Sequence, residues 1–161
     1  MTRSQIIQSK NWKFGIKEFV CPHIYQKFGD AAWQQLDVRL LEVMMWIRNH
    51  IGLPIIINTW GSNKEKGFRE RGMRCNCCNE VKRYTEQNTA YLSAHVMGQA
   101  VDFHINDKMW DADAIRQWIV DHKADLPYPI RLERGTNWVH LDVRNETSEK
   151  IIWFDAKQIV T

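Results

Sequence analysis

Residues 93 to 105 read SAHVMGQAVDFHI. From Ala100 to Ile105 apolar side chains alternate with small or polar ones. Because side chains two apart on a strand share a face, we predict a strand here with Asp102 on its polar side. Gly98 would let the chain turn just before this strand, which would bring His95 over Asp102.

A second segment, WVHLDV at residues 138 to 143, alternates in the same way. It puts His140 and Asp142 on its polar face and the remaining apolar side chains on the core face. Zinc takes imidazole and carboxylate ligands, and a catalytic site with three protein ligands keeps a position open for water. We therefore take His95, Asp102 and His140 as a candidate metal site, with hydrogen-bonded structural histidines as the alternative.

The remaining patterns occur in an order that predicts an α+β fold, with a small, mainly antiparallel sheet and flanking helices. Residues 61 to 92 show little periodicity, and a loop of this length is often functional. We expect one domain over residues 1–161. The other predicted elements are a helix from Asp30 to about His50, a strand over Pro54–Thr59, a helix capped by Asp111, and strands over Ile130–Glu133 and Ile151–Phe154.

The composition argues against several classes of protein. A chain of 161 residues that is 44% apolar can bury one sizeable core. The net charge of +3 is too small for a nucleic-acid signature, and no apolar run is long enough to span a membrane. The start, MTRSQIIQSKNWKFG, lacks the hydrophobic stretch of a secretory signal. We expect a monomer, made in a cytoplasm, with no nucleic-acid partner and no membrane span.

Four cysteines are present, at Cys21, Cys75, Cys77 and Cys78. Without a secretory signal, disulfides are not expected. Three thiols within four residues are dense enough to suggest a thiolate metal site, but the chain has no second pair of cysteines. Free thiols in a loop are the favoured interpretation, and a structural zinc is the alternative.

The pattern S-x-H-x-x-G-x-A-x-D at residues 93 to 102 is followed much later by W-V-H-x-D at residues 138 to 142. Together they resemble the zinc D-alanyl-D-alanine peptidase family. That family includes cell-wall carboxypeptidases, vancomycin-resistance dipeptidases and phage endolysins, and the hedgehog signalling domain shares its fold. The resemblance begins with FGIKEFV at Phe14–Val20 and covers about residues 14 to 144.

The resemblance implies a hedgehog-like fold and a zinc ion bound by His95, Asp102 and His140. The segment ERGMR, which ends at Arg74, resembles the family's arginine-bearing loop and implies an arginine that holds the substrate's carboxylate. Arg74 is the first choice and Arg71 the second, because a guanidinium suits bidentate carboxylate binding. The alternative for both arginines is a solvated surface charge.

The general base is where the chain departs from part of the family, since several members carry an acid at the place of Asn137. If residues 134 to 137 form a turn, Glu133 becomes a diagonal neighbour of His140 on the same face, about 7–8 Å away. Asp142 is the rival base, or else a partner that orients an imidazole. Lesser candidates near the metal are His104 and Ser93.

In function, the resemblance implies hydrolysis of peptide bonds in bacterial peptidoglycan stem peptides, as a D,D-carboxypeptidase or an endolysin-type endopeptidase. Which bond is cut stays open. The missing signal and the single-domain length favour a phage or prophage protein that acts on the cell wall. One alternative is a non-catalytic, zinc-bearing phage structural or signalling module of the same fold. Another is a metal-free wall-binding module with Trp60 and Trp138 beside a groove.

Overall fold

The computed structural model describes residues 1–62 and 67–155, and its centre is a five-stranded sheet. The strands are β1 (Ile55–Ile56), β2 (Ala100–Ile105), β3 (Ile130–Glu133), β4 (Val139–Asp142) and β5 (Ile151–Phe154). Their spatial order is β1-β2-β4-β3-β5, and only the β3–β5 pair is parallel. The predicted α+β class is confirmed in this general sense, with a mixed sheet in which antiparallel pairs dominate.

The helices precede the sheet strands or lie between them. No helix in the described ranges is long and apolar enough to cross a membrane. The α-helices are α1 (Arg3–Ile7), α2 (Ile16–Phe19), α3 (Pro22–Phe28), α4 (Val38–Ile51), α5 (Asn79–Thr85) and α6 (Ala112–Asp121), and short 3-10 helices span Gly29–Gln35 and Lys123–Asp125.

The predicted helix from Asp30 to His50 is wrong in its first third. A 3-10 helix occupies the start, and the backbone of Leu36 is extended, which breaks the helical run. Asp37 then caps α4, because its carboxylate accepts a hydrogen bond from the Arg39 backbone N–H at 2.9 Å. Gly52 ends α4 in the left-handed conformation, with φ of 76°.

Strand β1 is shorter than the predicted Pro54–Thr59, because the backbone beyond Ile57 bonds elsewhere. Asn58 donates its N–H to Glu18 O at 3.2 Å, and Thr59 donates to Phe68 O at 2.9 Å. The loop predicted over residues 61 to 92 also contains a helix, α5, which its weak apolar periodicity did not reveal.

The two faces of the sheet differ in character. Alternate residues of β2, β3 and β4 point into one continuous apolar core that also takes buried residues from α4 and α6. Polar side chains occupy the other face. The buried core residues of these strands and helices include Val101, Phe103, Leu132, Val139, Leu141, Leu40, Met44, Ile115 and Ile119.

The strand register aligns the polar face. Asp102 pairs with His140 across β2 and β4, and Arg131 pairs with Asp142 across β3 and β4. The β3–β4 register also pairs Leu132 with Leu141, and its next step places Glu133 directly opposite His140. The predicted diagonal relation of these residues is therefore wrong by two positions. Because the shift is even, Glu133 stays on the predicted face.

Candidate metal centre

Three side chains from separate parts of the chain meet on the polar face of the sheet. His95 comes from the turn before β2, Asp102 from β2 and His140 from β4. Each offers one ligand atom, and these atoms all lie within 4.8 Å of one another. His140 Nδ1 lies 2.8 Å from Asp102 Oδ1 and 3.2 Å from His95 Nε2. The structure thus brings together the three ligands predicted from the sequence, all of them buried.

The turn that delivers His95 depends on Gly98. This glycine has φ of +67°, and a Cβ there would lie 2.3 Å from the Gln35 carbonyl oxygen. The Gly98 carbonyl in turn accepts the Asp37 N–H at 2.9 Å, which joins the turn to the segment before α4. A glycine is therefore required both for the backbone conformation and for this close approach.

Each imidazole of the site is oriented by a hydrogen bond on its far nitrogen. His95 Nδ1 lies 2.8 Å from the Gly72 carbonyl oxygen, which can only accept, so Nδ1 carries the proton and Nε2 offers a lone pair. His140 Nε2 lies 3.2 Å from Asp142 Oδ2, which leaves Nδ1 facing Asp102. Such outer partners are typical of metal-binding histidines.

Asp142 lies behind the His140 ring, away from the point where the three ligands meet. Its side chain is fully buried, and Arg131 donates to both of its oxygens at 2.8 Å. The Arg144 backbone N–H adds a third bond at 2.9 Å. This placement favours an orienting carboxylate over a base. Arg131 and Phe154, whose ring meets the His140 ring edge-on, were missed from the sequence.

The pKa values of the three candidate ligands are shifted by burial and by their contacts with one another. Against the effect of burial, His95 and His140 hold the pKa of Asp102 well below its usual range. Burial lowers the pKa of His95. Against burial, hydrogen bonds to Asp102 and Asp142 raise the pKa of His140 to about 9. A neutral imidazole beside a carboxylate and a second imidazole is a donor set that suits Zn²⁺.

Glu133 is a further buried carboxylate on the polar face of the sheet. It lies opposite His140 in the sheet register and is 7% exposed. Burial raises its pKa above 4.5, and the charge of His140 opposes this only in part. In the ranges 1–62 and 67–155 no side chain or backbone group donates a hydrogen bond to its carboxylate. Its oxygens are therefore able to accept a proton from a substrate or a water.

An open cleft of about 480 Å³ lies beside Asp102, and both candidate arginines line it. Arg74 is already engaged: it donates to Asp102 Oδ2 at 3.1 Å, to the Tyr91 hydroxyl at 3.3 Å and to the Glu70 carbonyl. Arg71 donates to His104 Nδ1 at 2.7 Å. Arg74 is therefore fixed against a ligand residue, which disfavours it as the group that binds substrate.

Only some of the aromatic residues considered for a substrate groove line the cleft. Trp138 lines the cleft, as does Phe68, on whose ring the Arg71 guanidinium stacks at 3.4 Å. Trp60 does not line it; its indole N–H donates to the Val20 carbonyl at 2.9 Å. Of the two tryptophans suggested for a groove, only Trp138 is in position. Ser93, another lesser candidate, caps the turn that carries His95, because its hydroxyl accepts the Val96 N–H at 3.4 Å.

No family model, curated protein or solved structure matches this chain. The geometry of the metal centre and the sequence motifs are thus the basis for a functional proposal. Among the described residues, a second group also has the composition of a metal site, formed by Cys21, His23, Cys75 and Cys78.

Proposed function

We propose that this chain is a zinc-dependent peptidase that hydrolyses peptide bonds in bacterial peptidoglycan stem peptides. The observation that carries the proposal is the meeting of His95, Asp102 and His140 beside an open cleft, with Glu133 on the same face of the sheet. The substrate class follows from the motif resemblance at residues 93 to 102 and 138 to 142. We also propose that the protein reaches the cell wall as a phage or prophage product.

The residues present fit a zinc ion. His95 Nε2, His140 Nδ1 and a carboxylate oxygen of Asp102 would hold it, and their outer partners fix both rings in the required orientation. A bound zinc ion supplies Lewis acidity, which polarises a carbonyl group and makes water a stronger acid. Arg74 holds the Asp102 side chain in place through its 3.1 Å contact with Oδ2.

Glu133 provides the proton transfers of the reaction. Its carboxylate takes a proton from the attacking water and returns it to the amine that leaves when the peptide bond breaks. Its raised pKa lies closer to neutral pH than that of an ordinary glutamate, which assists both proton transfers. Asp142 acts through His140, since it contacts the ring on the side away from the ligand atoms.

Arg71 is the better candidate for holding a carboxylate of the stem peptide. Only one of its guanidinium nitrogens has a described side-chain partner, His104, while the stacking on Phe68 fixes the plane of the group at the cleft wall. A planar guanidinium fixed in this way suits a carboxylate ligand. Trp138, on the same cleft, would contact the peptide's apolar portions.

Digestion of purified peptidoglycan, with product identification by mass spectrometry, tests the proposal. Released D-Ala, or new L-Ala carboxyl and D-Glu amino ends, would establish a peptidase and name its bond. We expect the products to disappear with a chelator and in His140→Ala. Arg134→Ala, which changes an exposed arginine near the site, is the matched control and should cleave normally.

Two results would contradict the peptidase. A protein that carries zinc at His95, Asp102 and His140 yet releases no product from several wall types would be a non-catalytic zinc-bearing module. Sedimentation with peptidoglycan in the presence of chelator, again without cleavage, would indicate a metal-free wall-binding module.

A further inference from the structure

Three cysteines and a histidine gather beneath the loop that borders the cleft. Cys21 and His23 lie at the start of α3, and Cys75 and Cys78 lie in the turn before α5. We propose that these four residues bind a structural zinc ion, separate from the ion at the candidate metal centre. The proposal does not depend on peptidase activity.

The distances between the ligand atoms match a tetrahedral site. Cys21 Sγ lies 3.7 Å from Cys75 Sγ, and Cys78 Sγ lies 3.9 Å from His23 Nδ1. All four ligand atoms lie within 4.8 Å of one another. With Zn–S bonds of about 2.3 Å, two sulfurs on a tetrahedral ion are separated by about 3.8 Å. Three thiolates and an imidazole are also a ligand set typical of closed, structural zinc sites.

The sequence spacing of the four residues is that of a zinc site made of two ligand pairs, which the fold brings together. Cys75 and Cys78 have the C-x2-C spacing of many zinc sites, with Cys77 as an additional thiol between them. Cys21 and His23 form the second pair. A backbone bridge joins Val20, just before Cys21, to Met73, two residues before Cys75, and Cys21 donates its N–H to Met73 O at 3.0 Å. All four cysteines are free of disulfides, as predicted, but three of them and His23 form a four-residue cluster that the sequence did not predict.

In the turn from Cys75 to Cys78, two backbone N–H groups donate hydrogen bonds to cysteine sulfurs. The Cys75 N–H donates to Cys78 Sγ, and the Cys77 N–H donates to Cys75 Sγ, each at 3.4 Å. Backbone donors of this kind stabilise thiolates, the form in which cysteine binds a metal. The side chains of Cys21 and Cys78 are fully buried, whereas Cys77 is exposed and its thiol is not part of the cluster.

The position of the cluster suggests what such an ion would do. The segment that leads into Cys75 contains Gly72, whose carbonyl orients His95, and Arg74, which contacts Asp102. A zinc ion at the cluster would join this segment to the start of α3. It would thereby hold the loop that forms one wall of the candidate metal centre.

Metal analysis of the purified protein tests the second site directly. We expect two zinc ions per chain, one in His140→Ala and one in Cys78→Ser. Cys77→Ser is the matched control, because it removes a thiol from the same turn outside the cluster, and it should keep both ions. Equal zinc content in the Cys78→Ser and Cys77→Ser proteins would overturn the proposal.

Cobalt substitution identifies which site holds the ion. Thiolate ligands give Co²⁺ an intense charge-transfer absorption in the near ultraviolet, which imidazole and carboxylate ligands do not. We expect this absorption in the unchanged protein and in His140→Ala, and its loss in Cys78→Ser. Its absence from the His140→Ala protein would overturn the cysteine site and leave the peptidase proposal untouched.

Two further measurements keep the test decisive if Cys78→Ser fails to fold. His23 is exposed, so His23→Ala should fold, and we expect at least a tenfold weaker hold on the second zinc in competition with a chelator. Unchanged affinity would exclude the four-ligand site. Alkylation of the denatured, unreduced protein should modify all four cysteines. Modification of only two would indicate a disulfide and also overturn the proposal.

Discussion

Arg131 reaches behind the candidate metal centre and holds Asp142, which in turn orients His140. Replacing Arg131 with Met keeps an unbranched apolar stem at this position and removes the guanidinium charge and its donors. The variant would leave the Asp142 carboxylate fully buried, with the Arg144 backbone N–H and His140 as its remaining partners. Both the stability of the fold and the affinity for zinc should fall.

The size of each effect follows from burial. Removing one partner of a buried ion pair costs about 3–5 kcal/mol, because the other charge is left without compensation. The Arg131 side chain is 26% exposed, so water can reach the vacated position, and we expect a loss of about 2–3 kcal/mol. Loss of a carboxylate's orienting role behind a ligand histidine weakens metal binding by about 10-fold to 100-fold.

Urea unfolding of the chelated protein measures the ion pair alone, and competition with a chromophoric chelator measures zinc affinity. Arg134→Met is the matched control, because Arg134 is exposed and its guanidinium stacks on the Trp153 ring at 5.1 Å. If the free energies of unfolding of Arg131→Met and this control differ by less than about 0.5 kcal/mol, the buried ion pair does not stabilise the fold as proposed. A lower stability with unchanged zinc affinity would instead refute the contribution of Arg131, through Asp142, to the orientation of His140.

Three other predictions follow from the same geometry. Glu133→Gln should keep its zinc and lose about 10²-fold to 10⁴-fold in hydrolysis. In the unchanged protein kcat/KM should fall on the acid side through a pKa higher than that of an ordinary glutamate, which the variant lacks, and an identical pH profile in the variant would remove Glu133 as the base. For the chelated protein, the raised pKa of His140 means a stabilisation that is complete below pH 6.5 and lost as pH rises to about 9. Thermal unfolding should show a loss of up to roughly 3 kcal/mol across this window relative to His140→Gln, and a gain would contradict the assignment. Gly98→Ala should cost about 3 kcal/mol or more, since the new Cβ meets the Gln35 carbonyl oxygen at a positive φ. Gly52→Ala, also at positive φ but in the left-handed region and with open space around it, should cost about 1 kcal/mol, and equal losses in the two variants would contradict the clash.

The strands and the placement of Asp102 and His140 on one face of the sheet were predictable because alternation has a strict period of two. Once β2 and β4 are read as strands, Asp102 and His140 must lie on polar faces. The register of β3 against β4 was not predictable to the residue, because it depends on the length of the loop at residues 134 to 138. The predicted register was wrong by two residues. Because this number is even, Glu133 stays on the predicted face and only its partner on β4 changes.

Other features depended on contacts between distant segments, which sequence patterns do not contain. The break before α4 results from the Asp37 cap and the neighbouring Gly98 turn. The second group of potential ligands required Cys21 and His23 to be placed beside Cys75, and the backbone bridge between Val20 and Met73 brings these segments together. Within the chain itself, nothing near Cys21 marks it as the partner of a distant turn.

The short segment from Gly72 to Cys75 touches both groups of potential ligands, at His95 and Asp102 on one side and at Cys21 on the other. Ordering this segment for one ion reduces the entropy that must be lost when the other ion binds. The two binding equilibria are then linked, and thermodynamic reciprocity requires each ion to raise the affinity for the other by the same factor. When metal is scarce, this linkage would lower the share of half-loaded chains and raise the shares of fully loaded and empty ones.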